Sequence, residues 1–152
     1  MITKDGPKVL EYNARFGDPE TQVYMQLMDA DLYEVLLACA NGKLDPGMVS
    51  WKPGFAACVV LASGGYPANY EKGLPISGLE AAAGVEGVEI FHAGTTKDES
   101  GYKTSGGRVL GVTAIGDTID QALERAYAAV EKIDFEGMQY RSDIGRRPAP
   151  EF

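Results

Sequence analysis

Between Asp117 and Ile133, apolar side chains fall at Ile119, Ala122, Leu123, Ala126, Tyr127, Val130 and Ile133. That spacing puts all of them on one side of a 3.6-residue helix. A helix of this kind needs an apolar layer beneath it, and the chain offers strands for one. Ala56–Ala62 (AACVVLA) is a continuous apolar run and predicts a strand buried on both faces. Val88–Ala93 (VEIFHA) and Arg108–Ala114 (RVLGVTA) predict two more, with a turn over Asp98–Gly101 and short strands near Leu74–Ile76 and Tyr140–Gly145. Asp117 is the expected cap of the long helix. Strands followed by a packed helix, without regular βαβ alternation, predict an α+β fold.

The first forty residues read differently. Lys8–Ala14 (KVLEYNA) alternates: Leu10, Tyr12 and Ala14 share one face, and Val9, Glu11 and Asn13 the other, which predicts a strand. Asp18-Pro19-Glu20 predicts a helix start, with Asp18 as cap and Pro19 in the first turn, the helix running to Met28. Asp31 with Glu34 predicts a capping box for a second helix that ends at Asn41-Gly42. The Pro- and Gly-rich segment 43–54 is a connection in which Trp51 can anchor to a neighbour. The expected organisation is therefore 1–42, a connection 43–54, a second unit 55–147 and a tail 148–152 without assigned function.

Composition excludes several functions. The chain has 152 residues, is 45% hydrophobic and carries a formal net charge of −8. It has no basic run with which to neutralise nucleic-acid phosphates, so no nucleic-acid partner is expected. No apolar run approaches the ~18 residues of a membrane span, and the first residues lack the apolar segment of a signal peptide. No membrane association is expected, and a cytoplasmic location follows. Cys39 and Cys58 lie in apolar surroundings outside any CxxC pair and read as buried free thiols. A single histidine, without a nucleophile elbow, leaves little from which to build a hydrolase triad.

The chemistry concentrates in Glu11-Tyr12-Asn13-Ala14-Arg15-Phe16-Gly17-Asp18-Pro19-Glu20-Thr21-Gln22. A strand face carrying Glu11 and Asn13 offers two hard oxygen donors of the kind that Mg²⁺ takes alongside water and phosphate. Arg15 is next on that face, and a guanidinium can grip phosphate or carboxylate through two hydrogen bonds. A metal beside an arginine suits phosphoryl transfer, where catalysis is mostly positioning and charge stabilisation. A bare ExNxR pattern also fits the solvated face of an edge strand. A second candidate is Thr104-Ser105-Gly106-Gly107-Arg108. Its small residues can expose backbone N–H groups between the charges of Lys103 and Arg108, which suits a phosphate. An ordinary glycine hairpin fits it equally.

The twelve-residue string resembles the end of the ATP-grasp domain of glycinamide ribonucleotide synthetases. Ser63-Gly64-Gly65-Tyr66-Pro67, Tyr70-Glu71-Lys72-Gly73, Phe91-His92-Ala93-Gly94-Thr95, Gly106-Gly107-Arg108-Val109-Leu110 and Tyr140-Arg141-Ser142-Asp143-Ile144-Gly145 are similar to strings of that family, in family order. The resemblance implies the end of an ATP-grasp domain followed by a small C-terminal domain whose mostly antiparallel sheet is packed by helices. It implies Mg²⁺ (or Mn²⁺) on Glu11 and Asn13 and ATP as co-substrate. Arg15 would face the phosphates and a glycyl phosphate. Asp18 and Glu20 would lie toward the small substrates, and Lys103, Gly106, Gly107 and Arg108 toward the phosphate of 5-phosphoribosylamine. The family's reaction joins glycine to that amine, giving glycinamide ribonucleotide, ADP and phosphate. Its ATP-gripping lysines and adenine pocket lie upstream, so the upstream domains of the same enzyme are the expected partners. This chain alone is expected to be inactive. Another ATP-grasp ligase or carboxylase, and a non-catalytic binding domain derived from the ligase, are the competing readings. His92 and an Arg141–Asp143 pair are expected to be structural, and Lys72 is a weaker phosphate candidate. Ser63-Gly64-Gly65 lacks the GxGxxG spacing of a nucleotide loop.

Overall fold

The computed structural model describes residues 1–12 and 14–146; Asn13 and residues 147–152, which include the expected tail 148–152, lie outside the described residues. Its centre is a three-stranded antiparallel sheet. Strand β3 (Phe55–Ala62), β7 (Arg108–Gly116) and β4 (Val88–His92) lie in the order β3-β7-β4, with Val59 opposite Val112 and Ile90 opposite the same Val112. Two small hairpins stand apart, β1 (Ile2–Thr3) with β2 (Gly6–Pro7), and β5 (Thr95–Asp98) with β6 (Gly101–Thr104).

The sheet's middle strand is β7, not the more apolar β3. Along β3 burial alternates: Ala57, Val59 and Leu61 are buried, whereas Ala56, Cys58 and Val60 are half-buried. The continuous apolar run therefore belongs to an edge strand whose second face is only partly covered. Helix α4 (Ile119–Val130) lies on the buried face of β3 and β7, and its Ala126, Ala129 and Val130 join Val59, Leu61 and Val112 in the core. The expected stripe is buried except at Tyr127, which is half-buried, and at its first residue, Ile119, which is exposed. The cap is Thr118, one residue beyond Asp117: Thr118 Oγ1 accepts from Gln121 N at 3.2 Å, while Gln121 Oε1 accepts from Asp117 N at 2.7 Å. The short α3 (Leu79–Ala83) packs on β4.

Helix α1 (Glu20–Leu27) lies against the other face of β3 and β7. Its N-cap is Pro19, joined to Asp18 by a cis peptide bond, and no side chain caps it, so Asp18 is not the cap expected from sequence. Helix α2 (Leu32–Ala40) starts as predicted: Asp31 Oδ1 accepts from Tyr33 N at 2.9 Å and Glu34 N at 3.3 Å. In the connection, Asp45 caps a 3₁₀ turn over Pro46–Met48, and Trp51 pairs with Met28 and meets the Tyr24 ring edge-on at 6.2 Å.

Two expected strands are absent. Residues 8–12 are irregular, because no strand within the described residues pairs with them and a lone strand leaves its backbone polar groups unpaired. Leu10 and Tyr12, the intended apolar face, are 72% and 85% exposed. Residues 140–145 are irregular as well, held by Tyr127, whose hydroxyl donates to Arg141 O at 2.8 Å and accepts from Ile144 N at 3.1 Å. Near Leu74–Ile76 there is a single bridge, Pro75 to Lys103. The mixture of helices and antiparallel sheet is the α+β fold read from the sequence.

Candidate functional site

The predicted site residues fall into two groups. The first surrounds the entry to α1. Arg15 and Glu20 line a cleft of about 540 Å³ between the Ala14–Gly17 turn, Tyr24 of α1, and Val35, Leu36 and Cys39 of α2. Arg15 Nη1 donates to Phe16 O at 3.0 Å, which orients the guanidinium along the turn. Thr21 Oγ1 donates back to Gly17 O and ties the end of that turn to α1. Glu11 is exposed on the irregular segment before it. Among the described residues no group of three or more His, Cys, Asp and Glu could hold a metal ion. Cys39 is exposed in this cleft, not buried as expected; both thiols are free.

The second group lies at the start of β7. Arg108 reaches across to the α1 entry: its Nη2 lies 3.0 Å from Asp18 Oδ2, and its Nη1 donates to Asp18 O at 2.8 Å. Gln22 Nε2 donates to the second carboxylate oxygen, Asp18 Oδ1, at 3.0 Å. So Asp18 and Arg108, 90 residues apart, are each other's partners. Lys103 is likewise engaged, its Nζ 2.7 Å from Asp98 Oδ2. Lys103 and Ser100 hold the Asp98 carboxyl well below the usual carboxylate range by hydrogen bonding to its charged form.

The glycines between them are packing residues. Gly94 O accepts from both Ser105 N, at 2.7 Å, and Gly106 N, at 3.2 Å. These two N–H groups therefore do not point outward as an anion-binding turn. A Cβ on Gly94 would lie 2.5 Å from Gly106 Cα, and one on Gly107 would collide with the Tyr66 ring. Ser63 ties the Gly-rich segment to the same loop, with Ser63 N donating to Gly107 O at 2.8 Å and its hydroxyl to Gly106 O at 2.9 Å.

His92 stacks on Tyr102 at 4.4 Å, and its Nδ1 lies 3.0 Å from Thr95 Oγ1. Burial and the charge of Lys97 lower its pKa. Arg141 and Asp143 form the expected pair, through two bonds of 2.9 and 2.8 Å, on a loop and not on a strand. Lys72 sits 5.8 Å from the Tyr70 ring centroid.

Residues 56–147 match the family model described as phosphoribosylglycinamide synthetase, C domain. The chain belongs to this family. Outside the matched segment the likeness continues to nearly the whole chain. A phosphoribosylamine–glycine ligase of Synechocystis sp. is 52% identical over 149 residues, which are 97% of this chain and 35% of the relative. A trifunctional purine biosynthetic protein, adenosine-3, of Gallus gallus is 53% identical over 148 residues, or 97% of this chain and 15% of that protein. The crystal structure of a phosphoribosylamine–glycine ligase from Thermotoga maritima superposes with a TM-score of 0.78 at 40% identity, covering 94% of this chain and 34% of its own. The chain spans about a third of the length of the curated ligases it matches and corresponds to their C-terminal portion. No helix among the described residues is long and apolar enough to cross a membrane.

Sequence reasoning missed the residues that hold the Lys103–Arg108 loop of this synthetase C domain in place. Gly94, Ser63, Tyr66 and Asp98 each touch a candidate residue, yet only folding brings them there. The tight Gly94–Gly106 approach was signalled by a glycine in each of two separate strings, HAGT and GGRVL.

Proposed function

We propose that this chain works as the C-terminal part of an ATP-dependent ligase that joins glycine to 5-phosphoribosylamine, giving glycinamide ribonucleotide, ADP and phosphate. The glycine carboxylate attacks the terminal phosphoryl group of ATP, and ADP leaves. The ribosylamine nitrogen then attacks the resulting glycyl phosphate, and inorganic phosphate leaves. The observation that carries this reading is the cleft at the α1 entry: Arg15 and Glu20 line it in the part of the chain that precedes the segment matching the synthetase C domain.

In this reading Arg15 is the catalytic residue, stabilising negative charge on the transferring phosphoryl group. Glu11 and Asn13 supply a carboxylate and an amide oxygen, hard donors that fit Mg²⁺ or Mn²⁺. These two residues would hold such a metal, and it would supply charge neutralisation on the phosphates. Asp18 and Glu20 lie toward the small substrates and Lys103 toward the ribosylamine phosphate, while Arg108, engaged with Asp18, and the packed Gly106 and Gly107 shape that side. Because Lys103 is held by Asp98, a phosphate reaching Lys103 displaces that carboxylate.

The remaining catalytic parts come from upstream domains of the same enzyme, and the isolated chain is inactive. The distribution of apolar surface supports this. Among the described residues, every exposed large apolar residue except Tyr66, Ile119 and Tyr140 lies at or before Phe55, while Val35 is the only buried hydrophobic residue before Ala57. Exposed apolar residues gathered in one stretch of the chain mark an interaction surface, and the upstream part of the ligase is the occupant proposed for it. The setting is the cytoplasm, and the division 1–42, 43–54 and 55–147 separates the grasp-domain end, the connection and the C domain.

Complementation tests the reading. The chain is mixed with the separately expressed upstream part of the ligase, and ADP release is followed with glycine and freshly generated phosphoribosylamine. Activity that needs both substrates and both pieces, and that Glu11→Ala or Arg15→Ala abolishes, is the expected result. A full-length ligase with no such activity would overturn the assignment.

A further inference from the structure

The contact between Arg108 and Asp18 is more than an ion pair. Both side chains are about half exposed, 40% and 49%, and a pair of that exposure contributes little by charge alone. Arg108, however, grips two different parts of the residue. Nη2 holds the carboxylate, and Nη1 holds the main-chain carbonyl at 2.8 Å. The second bond fixes the backbone of the turn, whatever side chain stands there. Gln22, in the first turn of α1, holds the other carboxylate oxygen, so the turn is tied forward to its own helix and across to β7. This turn leads directly to Arg15 on one side and Glu20 on the other, both of which line the cleft.

We infer that Arg108 is a positioning residue: it clamps the Gly17–Pro19 turn to β7 and thereby sets where Arg15 and Glu20 stand in the cleft. The inference rests on the ligase reading for its catalytic consequence and on geometry alone for the clamp. Asp18 is the clamp's second half and not a free substrate ligand in this state. A reacting centre is sensitive to displacements of about an ångström, so a loosened turn lowers the rate of the chemical step and leaves substrate affinity largely unchanged.

Cys58 reports on the clamp without any need for activity. It lies on the face of β3 beneath α1, bordering a cavity with Pro19, Glu20 and Val23. Its thiol and the Gln22 side chain flank Gly111 of β7. Lifting the turn and the start of α1 exposes it. In a Cys39→Ser background the rate of Cys58 labelling by a soluble disulfide reagent is measured, with circular dichroism as the folding control. Arg108→Met is expected to raise the rate about tenfold, as loss of a charge-assisted two-point contact allows. Asp18→Asn keeps the carbonyl bond and is expected to raise it less. Compared at equal thiolate fraction, since the Asp18 charge also raises the Cys58 pKa, the double variant is expected to label no faster than Arg108→Met, because both substitutions open one clamp. Arg108→Lys, whose single ammonium cannot span both oxygens, should lie between. Labelling of folded Arg108→Met at the parent rate would overturn the clamp.

In the full-length ligase, Arg108→Met is expected to lower kcat at least tenfold with KM for phosphoribosylamine changed by less than about threefold, and Arg108→Lys to restore part of kcat. A rise in KM alone, overcome at saturating amine, would overturn positioning and make Arg108 a direct phosphate contact. An inactive parent ligase would sink the proposed function and leave the labelling result to decide the clamp.

Discussion

The crossing of Gly94 and Gly106 makes a sharp prediction. A methyl group on Gly94 would sit 2.5 Å from Gly106 Cα, 2.6 Å from Arg108 O and 2.7 Å from Gly106 N, all backbone atoms that no rotamer change can move. Overpacking of this kind costs about 1–3 kcal/mol. The only relief is to part the two segments, and three hydrogen bonds join them there: Gly94 N to Arg108 O at 2.8 Å, and Ser105 N and Gly106 N to Gly94 O. Each contributes on the order of 1 kcal/mol, so weakening one or two brings the expected loss for Gly94→Ala to about 3–4 kcal/mol. For a domain of this size that lowers Tm by roughly 15 °C. Gly84→Ala is the control. Gly84 has a helical φ of −75°, and its added Cβ would find nothing nearer than Ala81 O at 3.5 Å. It should be neutral or stabilising by up to about 1 kcal/mol through the unfolded state. Thermal and urea unfolding of both variants measure the difference. If Gly94→Ala unfolds within a few degrees of Gly84→Ala, the backbone approach does not hold as described.

Leu61→Ala, at a fully buried site under α4, should lose about 3 kcal/mol in urea unfolding, whereas Leu36→Ala, half exposed on α2, should lose less than about 0.5 kcal/mol. Thr118→Ala removes the observed cap of α4 and should cost about 1 kcal/mol, and Asp117→Ala, which keeps that bond, clearly less. Cys39 should react with a thiol reagent well before Cys58, because burial, and secondarily the charge of Asp18, push the Cys58 pKa up and reduce its thiolate at neutral pH; equal rates would contradict this. His92 should titrate below the usual value of about 6.5 in NMR, and Lys97→Ala should move it upward. The sign follows from linkage: the folded chain favours neutral His92, so its contribution is largest above the unfolded pKa and declines as pH falls through the window below it.

The parts of the fold that were legible in the sequence are those in which local pattern and tertiary partner agree. The α4 stripe, the α2 cap at Asp31 and the strands at Val88 and Arg108 all find their partners inside the chain. Errors arose where the decisive contact is distant in sequence. AACVVLA looks central by composition, yet pairing with β7 on one side alone makes it an edge strand. Asp18 looks like a cap, yet Arg108 and Gln22 take its carboxylate. The Ser105–Gly106 amides look free, yet Gly94 O accepts them. At the candidate site the order of residues was readable and their mutual engagement was not, because ion pairs such as Asp18–Arg108 depend on how α1 seats on the sheet.

Lys8–Tyr12 presents the most informative mismatch. Its alternation is that of a strand with one apolar face, yet the segment is irregular and Val9, Leu10 and Tyr12 are exposed. Alternation is an instruction that needs a neighbouring strand to act on, since pairing and not propensity supplies most of a strand's stability. The ligases that this chain matches are about three times its length. If their upstream part provides the neighbour, adding it to the chain should convert 8–12 from irregular to paired backbone and bury Leu10 and Tyr12 together. Hydrogen exchange reads this directly: amides of 8–12 should exchange rapidly in the chain alone and become protected in the reconstituted mixture, while those of β7 stay protected in both. Protection of 8–12 that the upstream part leaves unchanged would mean that the Glu11 segment is not completed by the remainder of the ligase, and the metal-binding role proposed for Glu11 would lose its structural basis.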